Sequence, residues 1–242
     1  MESVHVKCVI LAAGLGSRLG ARYQSKPLCP LNGTPLIEWV IRSARDAGVR
    51  EFVVVTGHAR ELLEARVRDI AAANGVTVTF APNDQWTKGN GLSVTAARDF
   101  VGDSFVLLMS DHVFDGTILS RLVQQPLAAG EVILAVDGQI HDNPTVDLDD
   151  VTRVSVDHGR IAAIGKQLAT YNAFDTGIFY CTRGLFDALD ESVRLGDDSL
   201  SGGIRVLAAR GLARTMDIIG GYWIDVDDEQ ALERAGSLAF LP

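Results

Sequence analysis

A loop of small residues with a single arginine directly follows the first apolar run of the chain. Residues 12–20 read AAGLGSRLG, and Lys26 comes shortly afterwards, immediately before Pro27. Small residues let a backbone approach a phosphate closely, so that exposed N–H groups can donate hydrogen bonds to its oxygens. Arg18 adds a forked cation inside the loop, and the proline keeps Lys26 extended. We interpret the segment as a site for nucleotide phosphates; the alternative is a tight turn that binds nothing.

Two familiar glycine loops fit this segment poorly. The dinucleotide fingerprint G-x-G-x-x-G would place its third glycine one residue before Gly20, and it needs an acidic residue after the next strand. That strand closes instead on Thr56, Gly57 and His58. A Walker A loop ends in G-K-S/T, which the segment lacks. These differences disfavour an NAD-dependent oxidoreductase, which is kept only as a rival interpretation.

Aspartates stand where two further apolar runs end. Asp111 comes just after the run 105–109, and residues 222–228 read YWIDVDD. The alternation of a strand would put Asp225 and Asp227 on one face. Carboxylate oxygens suit Mg²⁺, which usually takes one or two carboxylates from a protein. These aspartates are candidate magnesium ligands, although Asp111 would also serve as a simple cap at the end of its strand.

Short apolar runs alternate with amphipathic segments along the whole chain. Strands are expected at 6–12, 52–56, 76–80, 105–109, 132–136, 151–156, 160–164, 178–181, 214–219 and 222–226. Helices are expected at 35–47, 59–73, 92–100, 116–124, 186–193, 204–210 and 229–238, the last with Asp228 as its N-cap. This pattern predicts an α/β fold with a mixed, mainly parallel, Rossmann-like sheet and helices on both faces. We expect one domain over residues 1–242, with a nucleotide-binding half (1–137) and an acceptor-binding half (138–242).

The composition excludes several classes of function. The formal net charge is -9, which disfavours a general nucleic-acid or anionic-membrane binder. Cys8, Cys29 and Cys181 lie far apart in the sequence, so neither a disulfide framework nor a zinc site is expected. No apolar stretch approaches the roughly 18 residues of a membrane span. A cytoplasmic protein is the expectation.

The glycine loop resembles the signature of the sugar-phosphate nucleotidyltransferases. That signature has the form L-x-A-G-x-G-x-R, followed by K-P, and this chain matches it from Leu11 to Pro27. The resemblance implies a nucleotide-diphospho-sugar transferase fold in which the loop wraps the NTP phosphates while Arg18 and Lys26 neutralise them. It also implies Mg²⁺ held by Asp111 and Asp225, with Asp227 as a ligand or a support. The loop residues expected to contact the nucleotide are Leu11, Ala12, Ala13, Gly14, Gly16 and Ser17.

Four further stretches resemble one branch of that family, the CTP:inositol-1-phosphate cytidylyltransferases. They are KGNGLS (88–93), MSDHVF (109–114), IGKQL (164–168) and YNAFDTG (171–177). The resemblance implies that Lys166 holds the acceptor's phosphate and takes part in catalysis. Side chains that both donate and accept hydrogen bonds suit a pyrimidine base. The residues expected at the base are Lys88, Asn90, Gly91 and Ser93, and those at the acceptor are His112, Asp175, Thr176 and Gly177.

Each of these assignments has a plain structural alternative. Asn90 is also a residue that tolerates a left-handed turn, and Lys166 is also an ordinary exposed loop charge. The acceptor or nucleotide could differ within the class: a sugar-1-phosphate, phosphocholine or an aminophosphonate, with CTP, UTP, dTTP or GTP. A catalytically silent nucleotide-binding subunit is a further alternative, which the presence of Arg18, Lys26 and the aspartates disfavours.

The expected reaction needs no strong general base. A phosphate monoester is already anionic near neutral pH, since its second pKa is about 6. Its oxygen would attack the α-phosphorus of CTP in line and displace pyrophosphate. In the branch that the chain resembles, the domain is often fused to a membrane phosphotransferase that consumes CDP-inositol. We expect such a phosphotransferase as a separate partner of this chain, and a homodimer as its assembly.

Overall fold

The computed structural model describes residues 6–16, 19, 23–141 and 143–237 of the chain. The strands are β1 (Lys7–Ala12), β2 (Pro30–Leu31), β3 (Thr34–Pro35), β4 (Glu51–Thr56), β5 (Thr77–Pro82), β6 (Ser104–Met109), β7 (His112–Phe114), β8 (Val132–Asp137), β9 (Arg153–Asp157), β10 (Arg160–Gly165), β11 (Ala173–Thr182), β12 (Ala213–Asp217) and β13 (Trp223–Asp225). The helices are α1 (Leu36–Asp46), α2 (Arg60–Asn74), α3 (Asn90–Ala96), α4 (Gly116–Leu122), α5 (Gly184–Arg194), α6 (Leu200–Ala209) and α7 (Glu229–Ser237). Short 3₁₀ turns occur at Lys26–Leu28 and Arg98–Phe100.

Nine of the described strands form one mixed sheet in the order β5-β4-β1-β6-β11-β8-β12-β10-β9. Strands β5, β4, β1 and β6 pair in parallel, and so do β8 and β12. Strands β11 and β10 run against their neighbours. The prediction of a mixed, mainly parallel sheet is therefore confirmed, with the antiparallel strands confined to the second half of the chain.

Helices cover both faces of this sheet. Val9 and Leu11 of β1 belong to a core that α5 and α6 help to form, whereas Cys8 and Ile10 belong to a core that includes α1 and α2. Successive residues of a strand point to opposite faces, so a strand buried on both sides must be apolar throughout. This is why β1 is apolar from Cys8 to Ala12.

Most predicted elements lie within a few residues of their observed positions. The strands predicted at 151–156 and 160–164 are present as β9 and β10, which form an antiparallel pair. The last helix begins at Glu229, and the backbone N–H of Ala231 donates to Asp228 Oδ1 at 2.7 Å, which confirms the predicted cap. None of the described helices is long and apolar enough to cross a membrane.

One predicted strand boundary is wrong. The sequence places Asp175, Thr176 and Gly177 before a strand at 178–181, but β11 begins at Ala173 and contains all three. The register of β11 against β8 shifts between Asp175 and Phe179. Polar residues and a glycine at this irregularity interrupt the apolar pattern, and they hide the first half of the strand from a search for apolar runs.

Candidate active site

The loop after β1 packs closely against Lys26. Gly16 has a φ of +59°, and a Cβ at this position would lie 2.4 Å from the Cβ of Lys26. Lys26 begins its 3₁₀ turn, where the N–H of Leu28 donates to the carbonyl of Ser25 at 3.0 Å. Only 5% of Lys26 is exposed. The glycine is therefore required both by its left-handed backbone and by the lysine that it accommodates.

The ammonium group of Lys26 lies among three carboxylates. Its Nζ donates to Asp111 Oδ2 at 2.5 Å and to Asp227, and it lies 3.9 Å from Asp225 Oδ1. Burial lowers the pKa of Lys26, but the three carboxylate charges outweigh burial and raise it above its ordinary value. The structure thus brings together four residues that the sequence singles out at three separate places.

A short antiparallel ribbon sets His112 beside Asp225. Strand β7 pairs with β13 in a register that puts these two residues opposite each other. His112 Nε2 lies 3.3 Å from Asp225 Oδ2, and Nδ1 lies 2.8 Å from the carbonyl oxygen of Thr176. Burial disfavours the imidazolium, yet the charges of Asp225 and Asp111 raise the pKa of His112 to about 10. The ring is held at both nitrogens and in turn holds Asp225.

The aspartates of this cluster differ in their acidity. Burial raises the pKa of Asp227 to about 6, and the neighbouring carboxylate of Asp225 adds to the rise. Burial acts in the same direction on Asp225, but the charge and the hydrogen bond of His112 lower its pKa below the ordinary value. With Lys26 and His112 as cations, the three carboxylates leave an excess of negative charge.

The cluster fits a divalent metal ion. Asp225 Oδ1 is buried, and no described group donates a hydrogen bond to it. One ligand atom from each of Asp111, His112 and Asp225 lies within 4.8 Å of the others. Because both nitrogens of His112 are already engaged, the oxygens of Asp111 and Asp225 are the stronger ligands, and oxygen is the donor that hard divalent cations prefer. A buried oxygen that accepts no hydrogen bond, beside a second carboxylate, is the arrangement that such an ion would complete.

A cavity of about 290 Å³ opens at the end of β1 and the start of α3. Trp86 and Met109 form part of its wall. The predicted residues that line it are Leu11, Ala12, Ala13, Gly14, Gly16, Lys26, Lys88, Asn90, Ser93, Asp111 and Asp227. Ser17 and Arg18, predicted at the nucleotide phosphates, lie outside the described residues.

The segment 88–93 is held in place from the other half of the chain. The N–H groups of Gly89 and Gly91 donate to the carboxylate and the carbonyl of Asp198, both at 3.0 Å. Asn90 Oδ1 accepts from the N–H of Leu200 at 2.8 Å. Gly91, which was predicted at the base, therefore makes a backbone contact with Asp198 and does not line this cavity. Asn90 begins α3 with ordinary helical backbone, so the left-handed turn proposed as its alternative is absent.

A second cavity, of about 190 Å³, adjoins the first and shares Asn90, Met109 and Asp227 with it. Lys166 lines this cavity and donates to Asp150. Three residues predicted at the acceptor, His112, Asp175 and Gly177, line it as well, and we call it the acceptor cavity. Its carboxylates are Asp147, Asp150, Asp175, Asp225, Asp227 and Asp228.

Thr176 does not reach this cavity with its side chain. Its hydroxyl is fully buried and donates to the carbonyl of Ala135 on the neighbouring strand β8 at 2.7 Å. Gly177 has a φ of +74°, and a Cβ there would lie 2.4 Å from His112 Nδ1. Burial raises the pKa of Asp175 to about 6, against the opposing hydrogen bond from the Gly177 N–H.

Sequence reasoning missed several residues that line the two cavities. Trp86 lines the first cavity, with its ring centroid 5.3 Å from that of His58. Asp150 and Arg234 line the acceptor cavity. The sequence offers a signal for two of them. Trp86 is a tryptophan in a polar loop, and Arg234 is an arginine on the helix that follows the acidic segment 222–228.

Comparison with known proteins assigns this architecture to a family. Residues 8–199 match the model of the MobA-like NTP transferase domain. The chain belongs to that family. The match covers the glycine loop, Lys26 and Asp111, and it ends before Asp225.

Two curated relatives show how the family varies. The chain is 33% identical over 238 residues to the bifunctional IPC transferase and DIPP synthase of Rubrobacter xylanophilus, covering 94% of this chain and 50% of the relative. It is 33% identical over 246 residues to the CMP-5'-(3-aminopropyl)phosphonate synthase of Streptomyces rubellomurinus, covering 94% of this chain and 38% of the relative. The chain therefore spans half, or less than half, of the length of these relatives.

The fold matches that of solved nucleotidyltransferases. The structure of the inositol-1-phosphate CTP transferase from T. maritima superposes with a TM-score of 0.81 at 24% identity, covering 98% of both chains. The predicted nucleotide-diphospho-sugar transferase fold is confirmed. At that level of identity the likeness establishes the fold alone.

Proposed function

We propose that this protein transfers the cytidylyl group of CTP to inositol-1-phosphate, giving CDP-inositol and pyrophosphate. The observation that carries the proposal is that two adjoining cavities meet at one cluster of Lys26 and aspartates. Asp227 lines both cavities, so phosphates bound in each would lie near the same charges. The names of the R. xylanophilus relative and the T. maritima structure support the choice of this nucleotide and this acceptor.

The residues of the cluster supply positioning and charge rather than a base. An oxygen of the acceptor's phosphate forms a bond to the α-phosphorus of CTP, and the bond from that phosphorus to the pyrophosphate oxygen breaks. The acceptor phosphate is already anionic, so no proton needs to be removed. Lys26 and the loop residues Gly14 and Gly16 lie where the CTP phosphates would bind, with Arg18 proposed beside them. Lys166 lies in the cavity that would hold the acceptor phosphate.

We assign Mg²⁺ as the divalent ion, held by Asp111 and Asp225 with Asp227 as a third ligand or a support. Bound there, the ion would supply positive charge to offset that of the NTP phosphates. The buried Oδ1 of Asp225, which accepts no hydrogen bond from the described residues, supports this assignment. A cytoplasmic location, a homodimer and a membrane phosphotransferase as consumer of the product belong to the same proposal.

A pyrophosphate-release screen tests the proposed function. CTP, UTP, dTTP and GTP are each combined with inositol-1-phosphate, glucose-1-phosphate, phosphocholine and an aminoalkylphosphonate, in the presence of Mg²⁺. The highest kcat/KM is expected for CTP with inositol-1-phosphate, and EDTA is expected to stop release. Turnover of another pair, with none of this one, would overturn the assignment.

The aminoalkylphosphonate arm represents a second candidate function. The S. rubellomurinus relative has the same 33% identity as the R. xylanophilus one, and its name specifies a CMP-phosphonate product. Carboxylates such as Asp147 and Asp175 line the acceptor cavity and would suit an ammonium group as well as polyol hydroxyls. A preference for the aminoalkylphosphonate over inositol-1-phosphate would favour this candidate.

A further inference from the structure

One face of α7 forms part of the wall of the acceptor cavity. Asp228, Ala231 and Arg234 recur at intervals of three residues, and all three line the cavity. Residues three apart lie on the same side of a helix. Asp228 is committed to capping the helix through the N–H of Ala231. Arg234 is therefore the one cation that this helix contributes to the cavity.

The guanidinium group of Arg234 is not paired within the described part of the chain. Its Nε is buried without a hydrogen-bond partner, and no described carboxylate forms an ion pair with it. By contrast, Arg205 pairs with Asp197, and Arg98 with Asp190 at 2.7 Å. An arginine that lines a cavity rich in aspartates and yet pairs with none of them is available to a ligand.

Lys166, the cation assigned to the acceptor phosphate, is in a different position. It donates to Asp150, which lines the same cavity, so part of its charge is already neutralised. A phosphate would have to compete with that carboxylate for Lys166. The six aspartates of the cavity wall would also repel a dianion. One lysine with a counterion is a weak match for such a ligand.

We infer that Arg234 binds the phosphate group of the acceptor substrate, together with Lys166. This inference takes the reaction from the proposed function. It adds that Arg234 determines where the charged phosphate of the acceptor binds. The planar fork of a guanidinium can donate two parallel hydrogen bonds to phosphate oxygens, which an ammonium cannot do. The acceptor's hydroxyl groups would then be left to bind the aspartates that also line the cavity.

The test is steady-state kinetics of Arg234→Gln and Arg234→Lys, with whichever acceptor the wild-type protein uses best. Arg234→Gln is expected to raise the KM for the acceptor by about tenfold to a hundredfold, the loss typical of a hydrogen bond to a charged group. The KM for CTP should not change. Arg234→Lys should recover part of the loss. Arg194→Gln, at an exposed position on α5, is the matched control and should behave as wild type.

Inorganic phosphate serves as a second probe that needs no turnover. As a competitor of the acceptor, it should bind Arg234→Gln more weakly by a similar factor in calorimetry. If wild type fails to turn over inositol-1-phosphate but Arg234→Gln still loses phosphate affinity, the proposed function fails while the assignment of Arg234 holds. An unchanged acceptor KM and phosphate affinity, or an equal rise in the KM for CTP, would overturn the assignment. If Arg234→Gln does not fold, Arg234→Lys decides, because it keeps the charge and the apolar stem.

Discussion

Asp111 shows at the scale of single residues how charge is arranged in this site. Its Oδ2 accepts from Lys26 at 2.5 Å, and its Oδ1 lies 3.8 Å from His112 Nε2. It also lies near Asp225 and Asp227, which share the same lysine. Removing one carboxylate relieves repulsion between like charges as well as removing an ion pair, so the two effects on folding oppose each other.

Asp111→Ala is therefore expected to abolish turnover while leaving the thermal unfolding midpoint nearly unchanged. The rate should fall about a hundredfold or more, as when a group that stabilises transition-state charge is lost. Pyrophosphate release and a thermal melt measure the two quantities. Asp84→Asn is the control, because Asp84 is exposed and pairs with Arg60 away from the cluster. Near-normal turnover in Asp111→Ala would remove Asp111 from the proposed metal site.

The irregular strand β11 controls the site at the scale of secondary structure. Gly177 lies where its register shifts, and the missing side chain leaves room for the ring of His112. The ring in turn faces Asp225 across the β7–β13 ribbon. The position of the Asp225 carboxylate thus depends on the irregularity in β11 and on the short β7–β13 ribbon.

Gly177→Ala is expected to lose activity beyond what backbone strain explains. Gly159 has the same φ of +74°, but a Cβ there would meet nothing within 4 Å. The backbone strain of a left-handed alanine should cost each variant about 1–2 kcal/mol of stability. Only Gly177→Ala should also displace His112 and reduce kcat in the folded protein. Equal activity of the two variants, at a temperature where both are folded, would contradict the role given to Gly177.

The two strands of the ribbon also show where sequence reasoning reached its limit. Asp111 and Asp225 stand at the ends of apolar runs, and Lys26 belongs to a recognisable motif, so all three could be found. Strand β7 has three residues, which is too few to show a period, and the pairing of His112 with Asp225 was therefore hidden. The helix 229–238 was predicted, but which of its faces meets the cavity depends on tertiary packing, and Arg234 was missed for that reason.

At the scale of the whole molecule, the sheet brings distant parts of the chain to one edge. Strands β1 and β6 are parallel neighbours, so the loop after the first and Asp111 after the second meet at their carboxyl ends. The ribbon then adds Asp225 from near the end of the described chain. Strand β11 lies between β6 and β8 and carries Asp175 and Gly177 to the same place. The fold class could be predicted because apolar runs encode the strands; the irregularity within β11 could not.

The most direct measurement follows the oxygen atoms of the acceptor. Inositol-1-phosphate labelled with ¹⁸O in its non-ester phosphate oxygens is incubated with CTP, Mg²⁺ and the protein. The masses of the products are then measured by mass spectrometry. Attack of the acceptor phosphate on the α-phosphorus predicts CDP-inositol that retains all of the label, together with unlabelled pyrophosphate. Label in pyrophosphate, or a nucleotide product without the inositol phosphate, would contradict the proposed reaction.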